Sequence, residues 1–459
     1  MSSINPSIFK TYDIRGVVET DLSPQTVELI GQAFGAECLS QNSKTVVIAR
    51  DGRLSSPALS MALAKGLQAS GCDVIDIGMV PTPVLYFATH HFNTGTGVMV
   101  TGSHNPPEYN GLKMLMAGKT LYGDDITKLH AIIAANEFCR GKGDYRAENI
   151  LDIYRQRILA DIKIDKPLNI AVDCGNGVAG VIAAQLFRDM GCTVTELFCD
   201  VDGNFPNHHP DPSKLENLVD IRQSIGDNKL DLGLAFDGDG DRVGVIDNKQ
   251  NVIWPDRQMI LYSEDVLSRN PGAQIIYDIK SSYHLGKEIQ RMGGEPLMWK
   301  TGHSLIKAKM KETGALLAGE MSGHIFFKER WYGFDDGLYS AARMLEILSK
   351  KTATAEQVFS ALPDSFNTPE IQIMFAEGEH YKFMDKFKNG ADFSDAEDIS
   401  TIDGMRVTWH DGWGLIRPSN TTSCLVLRFE ADNETGLKEI QKKFRAQILD
   451  TDKTLDLPF

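Results

Sequence analysis

The stretch "LDLGLAFDGDGDR", Leu230–Arg242, runs an apolar, strand-like segment straight into a loop of three aspartates. It closes a series of elements that the chain spells three times. Working back from it, "LNIAVDCGNGV" reads as a strand, "VIAAQLFRDMG" as a helix closed by glycine, and "CTVTELF" as a second strand. That order is the grammar of a βαβ crossover. The same order occurs upstream in "TVVIARDGR", "SSPALSMALAKGLQASG" and "CDVIDIG", ahead of "VMVTGSHNPPEYNGLKM", Val98–Met114. It occurs again downstream in "AQIIYDIKSS", "LGKEIQRMGG" and "EPLMWK", ahead of "GALLAGEMSGH". Intervals this long denote domains rather than a solenoid.

The expected fold class is therefore α/β, with three similar mixed-sheet α/β domains and a smaller α+β domain at the C-terminus around a central cleft. Boundaries are expected at 1–148, 149–254, 255–364 and 365–459. After about residue 365 the pattern changes to "PEIQIMFAEG", "GMRVTWHDGWGLIRPSNTTSCLVLRFEA" and a final amphipathic helix. Ligands of open α/β sheets gather at the carboxyl ends of strands, so three strand-end loops facing one another make one site from three domains.

Composition narrows the partner. The chain has 459 residues, 42% hydrophobic and 24% charged, with no apolar run near the roughly 18 residues that span a bilayer. Its start, "MSSINPSIFKTYDIRG", lacks a basic region followed by an apolar one, so no secretory leader is expected and the cytoplasm is the expected compartment. Seven cysteines without a C-x-x-C pair argue against a disulfide framework or a zinc site. A net charge of −15 disfavours nucleic acid. An anionic ligand requires locally concentrated basic residues.

In "DGDGDR", Asp237, Asp239 and Asp241 alternate with Gly238 and Gly240, so that three carboxylates converge. Hard oxygen ligands at this spacing suit Mg²⁺. The calcium EF-hand needs Gly at position six and Glu at position twelve, where this chain has Arg242 and Asn248. Mg²⁺ in turn suggests phosphoryl chemistry. In "TGSHNPP", Ser103 sits on a loop stiffened by Pro106 and Pro107, as a hydroxyl that accepts and returns a phosphoryl group must. "GEMSGH" offers Glu320, Ser322 and His324, and a carboxylate pairs well with vicinal sugar hydroxyls. "RPSNTT" offers Arg417, Ser419, Asn420 and Thr421, a cation fork with hydroxyl and amide donors that suits phosphate oxygens. Each of the last three loops, read alone, is also an ordinary surface turn.

Taken together and in this order, "TGSHNP", "DGDGDR", "GEMSGH" and "RPSNTT" resemble the α-D-phosphohexomutase superfamily, over essentially the whole chain from "KTYDIRG" onward. The resemblance implies a four-domain enzyme that interconverts hexose 1-phosphate and hexose 6-phosphate through a phosphoserine at Ser103 and a hexose 1,6-bisphosphate. It implies Mg²⁺ held by Asp237, Asp239, Asp241 and the phosphoserine. It further implies sugar selection by Glu320 and Ser322 with His324 nearby, and a distal phosphate gripped by Arg417, Ser419, Asn420 and Thr421. The family's other cleft residues fall on Tyr12, Arg15, His104, Lys113, Arg242, Lys280 and His303. The general acid and base stay open among Lys113, Arg15, His104 and His324. Small-molecule phosphosugars are the expected partners and a monomer the expected state. The rivals are a phosphoglucosamine mutase, a Mg²⁺-dependent phosphatase with an aspartyl nucleophile, and a sugar-phosphate-binding regulator without turnover.

Overall fold

The computed structural model describes residues 4–459, so Met1–Ser3, part of the stretch read above for a leader, lie outside the described residues. The three spellings become three sheets with one shared block. In the second, Asn169–Asp173 lies between Thr193–Leu197 and Leu232–Phe236, parallel to both, and Val243–Asp247 returns antiparallel beside Leu232–Phe236. The first repeats this with Thr45–Arg50 between Asp73–Met79 and Gly97–Val100, and Tyr109–Met116 antiparallel. The third repeats it with Gln274–Asp278 between Glu295–Trp299 and Leu317–Gly319, and Ile325–Phe327 antiparallel.

Helical crossovers keep the first three strands of each block parallel, and where a loop replaces the helix the chain must turn back. The three chemically unusual loops are those turns. They sit at the carboxyl ends of Gly97–Val100, Leu232–Phe236 and Leu317–Gly319, strands buried along their whole length because layers cover both sheet faces. The fourth sheet has six strands, antiparallel throughout, with helices Glu379–Gly390 and Glu434–Thr451 packed against it. The expected fold class holds: three α/β units and a C-terminal α+β unit. No helix among the described residues is long and apolar enough to cross a membrane. All seven cysteines are free.

The core explains how the units are joined. One apolar cluster runs from Val47 and Met99 through Phe187 and Phe236 to Leu317 and Phe359, so the first three units share a hydrophobic interior. The C-terminal unit has its own, around Phe387, Phe429 and Phe444. It docks on the third unit through buried polar groups set around a small apolar cluster of Ile279, Trp413 and Leu415. Arg406 Nη1 donates to the carbonyls of Ile279, 2.6 Å, and Ser281, 2.9 Å, with its guanidinium 3.8 Å from the centre of the Trp413 ring. Trp413 Nε1 donates to Glu430 at 2.7 Å, and Ser282 Oγ donates to the same carboxylate at 2.5 Å. Burial pushes the Arg406 guanidinium down to about 10. Polar seams part more readily than hydrophobic ones because water can replace their bonds.

Arg406→Ala leaves buried carbonyls unpaired and is expected to weaken docking by about 2–4 kcal/mol. Limited proteolysis reads this directly: cleavage in the connector 361–370 is expected to accelerate by at least about tenfold. An unchanged cleavage rate would show that Arg406 does not hold the seam.

Candidate active site

The loop after Gly97–Val100 is fixed from below by one buried arginine. Arg53 forms an ion pair with Asp51 at 3.1 Å and donates to four carbonyls of the loop: Ser103 at 2.7 Å, Asn105 at 2.6 Å, Pro106 at 2.6 Å and Tyr109 at 3.0 Å. A planar guanidinium with five donors pins a non-repeating backbone as a lysine could not. Ser103 is held with φ +49, a left-handed conformation uncommon for a residue with a side chain. Its N–H donates to Thr101 Oγ1 at 2.8 Å. Its hydroxyl lies 3.2 Å from His104 Nδ1 and donates to Asp237 at 3.4 Å. The acidic loop comes this close because residue 238 is glycine: a Cβ there would lie 2.4 Å from the Ser103 carbonyl oxygen.

Asp237, Asp239 and Asp241 have no exposed surface. Three ionised carboxylates in such a place are unstable unless positive charge is supplied. Lys113, on the strand Tyr109–Met116, donates to Asp239 at 2.7 Å and Asp241 at 2.5 Å. Burial alone would lower its pKa, but these two carboxylates hold it well above the ordinary lysine value. Arg242 pairs with Asp237 at 2.9 Å and with Asp211 at 3.3 Å. His324, from the third loop, stands 3.3 Å from Asp241, which overcomes its burial and raises it to about 10. Burial pushes the Asp237 carboxyl up to about 8 against the pull of Arg242, with Asp241 and Asp239 adding to the rise.

The acidic loop also fits a divalent cation. One oxygen from each of the three aspartates lies within 4.8 Å of the others. Asp239 Oδ1 is buried without a hydrogen-bond partner, as an atom meant for a metal would be, and Asp241 Oδ1 faces the His324 imidazole at 3.3 Å.

The remaining loops complete one cleft. Glu320 accepts the Gly302 N–H at 2.5 Å, while its second oxygen is buried 3.4 Å from His324 Nδ1. Ser322 Oγ lies 2.8 Å from His324 Nδ1. Tyr12 Oη donates to the Thr301 carbonyl at 2.9 Å and accepts from Asn420 Nδ2 at 2.5 Å, which links the first, third and C-terminal units. Lys280 is paired with Glu370 at 2.6 Å and Arg417 with Asp403 at 3.0 Å. Arg15 is paired with Asp13 at 2.5 Å. The histidines differ in charge. Burial, reinforced by Arg242, holds His104 well below the usual imidazole value, and burial with Lys307 and Lys113 does the same to His303. His104 and His303 are thus neutral where His324 is cationic.

These side chains surround a cavity of about 380 Å³. Tyr12, Arg15, Ser103, His104, Lys113, Arg242, Lys280, His303, Glu320, Ser322, His324, Arg417, Ser419, Asn420 and Thr421 all line it. The three aspartates are paired with lining residues but do not themselves line it. Sequence reasoning missed Arg53, Asp211, Glu370 and Asp335, whose carboxylate pairs with Lys307 at 2.8 Å and lies 3.5 Å from His303. It also missed Thr82, whose Oγ1 donates to Asp239 at 2.5 Å. For Arg53 the available signal was "RDGR", charged residues in a turn after an apolar run.

Comparison with known proteins matches all four units. Models of the phosphoglucomutase/phosphomannomutase alpha/beta/alpha domains I, II and III and of the C-terminal domain match residues 6–140, 152–250, 254–366 and 367–447. A phosphomannomutase/phosphoglucomutase of Pseudomonas aeruginosa is 54% identical over 453 residues, covering 99% of this chain and 98% of its own length. A phosphoglucomutase of Neisseria gonorrhoeae is 50% identical over 451 residues, 98% of each chain. The crystal structure of a phosphoglucomutase/phosphomannomutase family protein from Burkholderia thailandensis superposes with a TM-score of 0.95 at 51% identity, covering 99% of this chain and 100% of that one. With four loops meeting in one cleft and relatives matched from end to end, the chain belongs to the phosphoglucomutase/phosphomannomutase family of α-D-phosphohexomutases and is a mutase that interconverts hexose phosphates.

Proposed function

We propose that the reaction runs through a phosphoserine at Ser103 and a hexose 1,6-bisphosphate that turns over inside the cleft. One observation carries this reading: the Ser103 hydroxyl lies against the acidic loop and also lines the cleft, as that of Thr82 does not, and it stands 3.2 Å from a neutral imidazole. As the bond between phosphorus and the Ser103 oxygen breaks, a new phosphorus–oxygen bond forms to the free hydroxyl of the bound sugar phosphate. The proton leaving that hydroxyl ends on the Ser103 oxygen. His104 is neutral and suits this transfer. Lys113 and His324 are held cationic and suit the charge of the moving group. After reorientation the other phosphate returns to Ser103 by the same exchange.

Roles follow from chemistry and position. Asp237, Asp239 and Asp241 would hold Mg²⁺ together with the phosphoserine, and the bound ion would neutralise charge on the phosphoryl oxygens. Glu320 lines the cleft beside the His324 imidazole, and its carboxylate suits sugar hydroxyls. Arg417, Ser419, Asn420 and Thr421 grip the phosphate that is not reacting, with Tyr12, Arg15, Arg242, Lys280 and His303 completing the lining. Both phosphates visit both ends of the cleft in each cycle, so one clamp must accept either ester. The units divide at residues 148, 254 and 364, and the polar C-terminal seam is the one that opens to admit and release substrate. Glucose and mannose phosphates are the substrates, handled by a monomer. The free thiols fit a reducing compartment such as the cytoplasm.

Ser103→Ala is expected to lose on the order of 10⁴-fold in turnover with glucose 1-phosphate and mannose 1-phosphate. Added hexose 1,6-bisphosphate should activate the unsubstituted enzyme and leave the variant inert. Persistent turnover by the variant, with release of inorganic phosphate, would instead favour an aspartyl phosphatase. Glu320→Gln removes one acceptor charge facing the sugar and is expected to lower kcat/KM by about 10- to 100-fold. Unchanged kcat/KM for all of glucose, mannose and glucosamine 1-phosphates would remove Glu320 from sugar selection.

A further inference from the structure

A second cavity, of about 630 Å³, lies where the first unit meets the third and shares no lining residue with the cleft. Its size falls in the range of small-molecule sites. Its walls are aromatic. Tyr332 and Phe334 lie with ring centres 5.9 Å apart and planes within 3°, and His90 packs 4.9 Å from Tyr332. Tyr332 is 36% exposed at the cavity wall. Among the lining side chains, Tyr86 and Ser304 are 2% and 1% exposed, and neither hydroxyl has a hydrogen-bond partner. Buried hydroxyls are rarely left so unless something else satisfies them.

The cavity's charge is one-sided. Lys119, Lys311 and Lys328 line it, all exposed, and none forms an ion pair among the described residues. Lys311 Nζ donates to the Gly118 carbonyl at 3.4 Å, across the seam between the units. Of the two lining carboxylates, Glu312 is already paired with Lys309 at 2.7 Å, leaving Asp125. Flat ring faces, unpaired hydroxyls and unpaired ammonium groups together suit a planar base with a polar edge and an anionic tail.

We propose that this seam cavity is a binding site for a nucleoside phosphate. The inference stands on residues that the proposed phosphoryl transfer does not use. From the cavity a chain of contacts leads to the cleft. Lys307 Nζ, which lies 4.2 Å from the centre of the Tyr86 ring, pairs with Asp335 at 2.8 Å. Asp335 lies 3.5 Å from His303, and the His303 ring is stacked 5.6 Å from that of His324, beside Asp241. A phosphate that draws on Lys307 loosens its pair with Asp335, so occupancy should lower kcat with glucose 1-phosphate.

The test is calorimetric titration of the full chain with ADP, at constant free metal and with glucose 1-phosphate saturating the cleft. ADP is expected to bind, and adenosine or inorganic phosphate alone to bind at least about tenfold more weakly. The double variant Lys119→Glu, Lys328→Glu changes only exposed side chains, so it should keep basal turnover and lose about tenfold or more in ADP affinity. Tyr332→Ala, an uncharged change, should lose a similar factor. Absence of ADP binding, displacement of ADP by glucose 1-phosphate, or affinity unchanged in both variants would overturn the site. ADP binding that leaves kcat unaltered would retain the site and overturn the coupling.

Discussion

Three carboxylates with no contact with water cannot stand at the end of a strand unless other parts of the chain bring positive charge to them. That constraint organises the molecule. Lys113 comes from the first unit, Arg242 from the acidic loop itself and His324 from the third unit. The same electrostatic debt that would punish an isolated acidic turn therefore ties three units to one point. A shared hydrophobic interior makes the arrangement rigid. Rigidity matters because phosphoryl transfer is catalysed by position and charge more than by covalent chemistry.

Around this point the two kinds of junction divide the labour. The first three units are joined by apolar packing and present fixed loops. Ser103 illustrates how firmly: its backbone is left-handed, its carbonyl is held by Arg53, and the neighbouring loop reaches it only because residue 238 has no side chain. The C-terminal unit has a separate core and docks through Arg406, Glu430 and Ser282. A separately cored unit held by a few buried hydrogen bonds and a small apolar cluster suits the proposed role of gripping and releasing a phosphate.

The repeated βαβ grammar and the four loops were legible in the sequence because each is local: apolar runs end within a few residues of the chemistry they deliver. Counting loops also gave the cleft, since strand ends of similar blocks point the same way. What escaped was every partner supplied by tertiary contact. Arg53 reads as a turn residue, yet it is almost fully buried and organises a loop some fifty residues away. Asp211 and Asp335 lie in stretches with no periodic signal and acquire meaning only from Arg242, Lys307 and His303. The charge states were equally hidden: His104, His303 and His324 are one residue type with opposite behaviours set by burial and neighbours. The aromatic and lysine-lined seam cavity joins residues from 86 to 334, and no local pattern announces it.

The central claim is that one serine oxygen carries the phosphoryl group. Protein labelled with radioactive phosphate at Ser103 and chased with unlabelled glucose 1-phosphate tests it most directly. Label should leave the protein and appear in hexose bisphosphate and monophosphates at the rate of turnover. Label that stays on Ser103 while isomerisation proceeds would contradict it.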